Sequence, residues 1–79
     1  MKTVKIRNEQ LKQGDHIVMD GAIVEIEWVK FFDYDELDTS HNMIYKVKPS
    51  KLNTAFISSI YANAKYRVDR YNKVEKVVE

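Results

Sequence analysis

The chain contains no cysteine, so neither a disulfide framework nor a thiolate metal cluster can supplement its core. Two glycines and one proline are too few for a glycine-rich phosphate loop or a long flexible linker. Long apolar runs are missing as well, the longest aliphatic stretches being Ile17-Val18-Met19 and Ala22-Ile23-Val24. Neither approaches the ~20 residues of a membrane-spanning helix, or the apolar stretch of a secretory leader. No Asn-x-Ser/Thr acceptor occurs. These absences predict a cytoplasmic protein with no membrane contact.

What is present is an ordinary globular balance. Hydrophobic residues make up 44% and charged residues 32%, which excludes a disordered tail. Seventy-nine residues predict one domain over 1–79. A chain of this size buries about 60–65% of its unfolded surface, too little to enclose a large active site. The formal net charge is +1, but it is unevenly spread. Residues 1–38 hold five basic and nine acidic side chains, whereas residues 39–79 hold eight and three. Such asymmetry points to an interaction face.

Asp20-Gly21 is the strongest local signal. An Asp-Gly pair between β-branched residues predicts a two-residue hairpin turn, because both positions need positive φ. His16–Met19 runs into it, Ala22–Phe32 runs out, and Gln13-Gly14-Asp15 reads as the turn before the first arm. Val24, Ile26 and Trp28 alternate with Glu25 and Glu27, the period of a half-buried strand. Lys30 then falls on the apolar side, which predicts a bulge near Val29–Lys30 and places Trp28 in the core. Met43–Val47 alternates again until Pro49-Ser50 ends it. Val4–Arg7 and Val74–Val78 read as short strands at the two ends of the sequence. Residues 54–64 fit two patterns. Their parity continues into the strand Tyr66-Arg67-Val68, yet Phe56, Ile57, Ile60, Tyr61 and Ala64 also fit a short helix.

Five to six short strands with a bent second arm predict an all-β fold, a small antiparallel barrel. The segment Leu11-Lys12-Gln13-Gly14-Asp15-His16-Ile17-Val18, followed by Asp20-Gly21, resembles the opening of small SH3-like barrels. The segment Tyr66 to Val77 is similar to the terminal strands of short β-rich phage-type accessory proteins. Together they cover about a third of the chain. The resemblance implies a fold, but barrels of this kind serve many roles and no functional residue is carried over.

The candidate chemistry is sparse. Asp33, Asp35, Glu36 and Asp38 offer oxygen ligands, but Leu37 and Asp38 break the calcium-loop pattern, so no metal or cofactor is expected. His16 and His41 have no carboxylate at metal-helix spacing and read as neutral surface imidazoles. Ser58-Ser59 lacks a nucleophile elbow. The chain therefore reads as a binding module rather than an enzyme. One reading is a protein-interaction module contacting an unidentified protein partner through Phe31, Phe32, Asp33, Tyr34, Asp35 and Glu36, since a bulge turns one phenylalanine outward. The alternative is a surface for single-stranded nucleic acid built from Lys46, Lys48, Tyr61, Lys65, Arg67 and Tyr71, where cations track phosphates and tyrosines stack on bases.

Overall fold

Asp20 and Gly21 both take positive φ, 51° and 81°, and join Met19 directly to its partner Ala22. This is the tight turn that the Asp-Gly pair predicts. The computed structural model describes residues 2–32, 42–52 and 64–78. Its strands are β1 (Thr3–Arg7), β2 (His16–Met19), β3 (Ala22–Phe31), β4 (Met43–Pro49), β5 (Lys65–Val68) and β6 (Lys73–Val77). A single 3-10 turn, Asn8–Gln10, is the one helical element among the described residues. Of the ambiguous stretch 54–64, all but Ala64 lies outside the described residues.

All ladders are antiparallel and the strand order is β1-β6-β2-β3-β4-β5. The all-β class is therefore as predicted. Among the described residues no ladder joins β1 to β5, so the sheet is not closed and its edges are those two strands. Asp15 and Gly14 extend the central hairpin, with Gly14 N–H donating to Ile26 O at 2.9 Å and Ile26 N–H to Asp15 O at 2.8 Å. Gly14 holds φ at 91°, a conformation in which a side chain would be strained.

One face of the sheet carries the core. Ile17, Val24, Ile26, Met43, Tyr45 and Val47 are buried together with Leu11, and Val29, Tyr66, Val68 and Val74 pack against them. Alternation along β4 is clean: Met43, Tyr45 and Val47 are buried while Lys48 is exposed. The bulge is also present, but it sits at Glu27, where the register shifts between Ile26 and Trp28, not at Val29–Lys30. This corrects the expected position of Trp28. Once Glu27 is the extra residue, Val29 turns inward opposite Tyr45 and Trp28 turns outward opposite Lys46. Parity could not choose between these two apolar neighbours. Cross-strand partners could: a β-branched valine fits beside Tyr45 in the core, and an indole can be half-buried beneath cationic side chains.

A polar hub joins the strand ends. Asn8 is buried, with its N–H donating to Asn72 O at 2.8 Å and its Nδ2 to Asp69 O at 3.0 Å. Arg70 donates its N–H to Asn42 Oδ1 at 2.8 Å and Nη2 to Phe32 O at 3.3 Å. The turn between β5 and β6 is thus tied both to the end of β1 and to the far ends of β3 and β4. Asn8→Ala should lower stability by about 1 kcal/mol and the melting temperature by about 5 °C, because the Asp69 carbonyl loses its donor. A thermal melt checks this; an unchanged midpoint would show that water replaces the amide at no cost.

Candidate functional site

The outer face of β3, β4 and β5 collects side chains of two kinds. Paired residues in an antiparallel ladder project to the same side, so register assigns the face directly. Trp28, Lys46 and Lys65 form one cross-strand row, and Lys30, Ile44 and Arg67 form the next. Phe32, just beyond β3 and two residues past Lys30, lies on the same face, its N–H donating to Asn42 O at 2.9 Å. Lys30, Lys65 and Arg67 are exposed, while Trp28, Phe32 and Ile44 are half-buried.

The cations and rings are in contact. The Lys65 ammonium lies 5.9 Å from the centre of the Trp28 ring, and the Arg67 guanidinium carbon lies 4.8 Å from that of Phe32. Each distance is within reach of the electrostatic attraction between a cation and a π face. Lys46 and Lys48 are engaged differently. Lys46 Nζ is 3.0 Å from Glu27 Oε2 and Lys48 Nζ is 3.5 Å from Glu25 Oε2. Such half-exposed surface pairs contribute about 0–1 kcal/mol each, but they offset part of the positive charge. Among the described residues, the cations of the face still outnumber its carboxylates.

The sequence-predicted residues divide accordingly. Lys46, Lys48, Lys65 and Arg67 do share one face. Tyr71 does not lie on that strand face; it sits 61% exposed in the turn after β5, its N–H donating to Asp69 Oδ1 at 2.8 Å. Phe31 and Phe32 project to opposite sides, as successive residues of an extended strand do. Phe31 is 45% exposed and lies under the Arg70 guanidinium at 5.1 Å. Tyr61, Asp33, Tyr34, Asp35 and Glu36 lie outside the described residues. Trp28 and Lys30 were missed as members of the face. Their signal was the phase slip itself, which announces that one apolar residue of β3 must leave the core.

Other titratable groups serve the packing. His16 Nδ1 lies 2.7 Å from Ser50 Oγ, which also accepts the Leu52 N–H at 3.0 Å. Ser50 is buried, so its hydroxyl braces the end of β4 against β2. On the inner face the Tyr45 and Tyr66 rings lie 5.8 Å apart. Burial, and secondarily the charge of Tyr66, pushes the Tyr45 hydroxyl up to about 12. Among the described residues no group of three or more His, Asp or Glu side chains is placed to hold a metal ion, and no helix is long and apolar enough to cross a membrane. Comparison of the chain with protein-family models, with curated proteins and with solved structures finds no match.

Proposed function

We propose that the protein is a non-enzymatic, cytoplasmic nucleic-acid-binding module whose contact surface is the outer face of β3, β4 and β5. One observation carries this reading: cations and aromatic rings meet on a single sheet face, with Lys65 over Trp28 and Arg67 over Phe32. Rings supply stacking area and cations neutralise phosphates, which is the combination that nucleic-acid surfaces use. The absence of cysteine suits a reducing compartment. The SH3-like, phage-type likeness belongs to the same proposal and rests on the Leu11–Val18 and Tyr66–Val77 segments alone. A protein partner reached through Phe31 and the acidic stretch after it is the competing reading. It has less support, because both phenylalanine rings already lie beneath arginines.

The test is a salt-dependent titration with a labelled oligonucleotide, starting near about 50 mM salt. Each cation of the face that neutralises a phosphate releases condensed counterions, so log K should fall with log salt by about 0.7 per contact. Lys46 and Lys48 contribute less, since their carboxylate partners compete with phosphate. Lys65→Gln should flatten the slope by about 0.7. Trp28 is the single tryptophan of the chain, so its emission reports the event directly. Binding that is absent at micromolar protein, with Trp28 emission unchanged, would overturn the proposal and leave the protein-partner reading.

A further inference from the structure

We propose that the open edge of β1 accepts an extended acidic segment of a protein partner, which pairs with it as an added strand. This surface is separate from the outer face of β3, β4 and β5 and does not depend on the nucleic-acid reading. The backbone bonds of β1 show which groups face outward. Val78 N–H donates to Lys2 O at 3.0 Å and Asn8 N–H to Asn72 O at 2.8 Å, at the two ends of the β1–β6 ladder. Bonded and non-bonded pairs alternate in an antiparallel ladder, so Lys2, Val4, Ile6 and Asn8 turn their backbone groups toward β6. Thr3 and Lys5 turn theirs away. Among the described residues neither has a backbone partner on that side. The Arg7 N–H is already taken, donating to Gln10 Oε1 at 3.0 Å, so the open stretch is short and ends there. Such a stretch is a template for one more strand.

The side chains determine what that strand must carry. Thr3, Lys5 and Arg7 project to one side of the edge, and Val4 and Ile6 to the other. Lys5 is exposed and makes no ion pair among the described residues, while Arg7 reaches Glu9 at 3.1 Å. Exposed Lys73 stands opposite Arg7 and adds to the positive charge. On the other side Val4 is 44% exposed and Val78, its diagonal neighbour across the ladder, 49%. A strand with carboxylates beside Lys5 and Arg7 and an apolar side chain beside Val4 complements both sides, since opposite charges and apolar pairs stabilise neighbouring strands. A second copy of this chain does not meet that demand. Laid antiparallel on itself about Lys5, β1 sets Lys5 opposite Lys5 and Thr3 opposite Arg7. Centred on Val4, it still gathers Lys2, Lys5 and Arg7 of both copies at one ladder. Lysine on an edge strand deters strands of its own kind and admits an acidic one.

Thr3→Pro separates backbone pairing from charge. The proline removes an outward N–H that β6 does not use, so the melting temperature should stay close to the parent's. The probe is a labelled peptide in which glutamate alternates with valine, run beside a peptide of the same composition with its glutamates grouped. The alternating peptide should bind the parent and protect the Thr3 and Lys5 amides from hydrogen exchange, leaving Val4 and Ile6 unchanged. This exchange measurement needs no variant. Thr3→Pro should weaken the peptide about tenfold at unaltered salt dependence, and Lys5→Gln about threefold with a reduced one. Neither change should affect the oligonucleotide titration. No binding at about millimolar peptide overturns the inference, as does equal binding of the grouped peptide or an undiminished affinity in Thr3→Pro. Protection of the same two amides by an oligonucleotide, or by dimerisation of the parent alone, names a different occupant and overturns it as well. A parent that binds the peptide but no oligonucleotide overturns the nucleic-acid reading only.

Discussion

Ile26→Ala is expected to abolish most of the cooperative thermal transition, whereas Trp28→Ala should retain one near the parent's. Ile26 is fully buried at the centre of the sheet, immediately before the bulge, and packs within the main core cluster. Removing its outer carbons leaves a cavity that neighbours on paired strands fill poorly, at a cost of about 2–5 kcal/mol. A domain of this length has roughly 4–12 kcal/mol in all, at 0.05–0.15 kcal/mol per residue. Trp28 is the larger side chain but lies half-buried on the outer face, against the Lys65 ammonium. Its truncation removes partial burial and a cation–π contact, about 1 kcal/mol. Chemical denaturation of the two variants measures the contrast. A Trp28→Ala loss larger than that of Ile26→Ala would mean that the bulge does not turn the indole outward.

The second large effect is alkaline. Tyr45 is 4% exposed, and burial is the leading cause that raises its hydroxyl from 10.0 to about 12. The unfolded chain therefore gives up this proton first. The stabilisation that Tyr45 contributes is complete below pH 10 and is lost as the pH rises through about 12. At 1.36 kcal/mol per unit, the loss over that window is roughly 2–3 kcal/mol. Denaturant midpoints measured between these pH values should fall more steeply for the parent than for Tyr45→Phe, which has no proton to lose. Parallel slopes for the two proteins would show that the hydroxyl reaches solvent and is not held neutral by its surroundings.

Much of the local structure was legible because it depends on few neighbours. Asp20-Gly21 marks its own turn, since positive φ at two successive positions is a backbone requirement that local chemistry meets. Alternation in Met43–Val47 identifies β4 and its buried side without reference to any partner. The parity of Tyr66 and Val68 places Lys65 and Arg67 outward for the same reason. The phase slip in β3 was legible as an event but not as a position. Glu27, Trp28, Val29 and Lys30 can each absorb one extra residue at similar local cost, and the deciding contacts come from β4.

For the same reason the candidate face was half visible. Lys46, Lys65 and Arg67 follow from alternation within their own strands. Trp28, Lys30 and Phe32 join them only after the bulge at Glu27 reverses the facing of β3. Strand class, hairpin position and the inward set of β4 belong to the amino-acid sequence alone, because a period of two and a turn residue act over a handful of bonds. Strand order, the site of the bulge and the meeting of cations with rings belong to the folded sheet. They depend on which side chains face each other across ladders that join β3 near residue 30 to β5 near residue 67, and no local pattern contains that information.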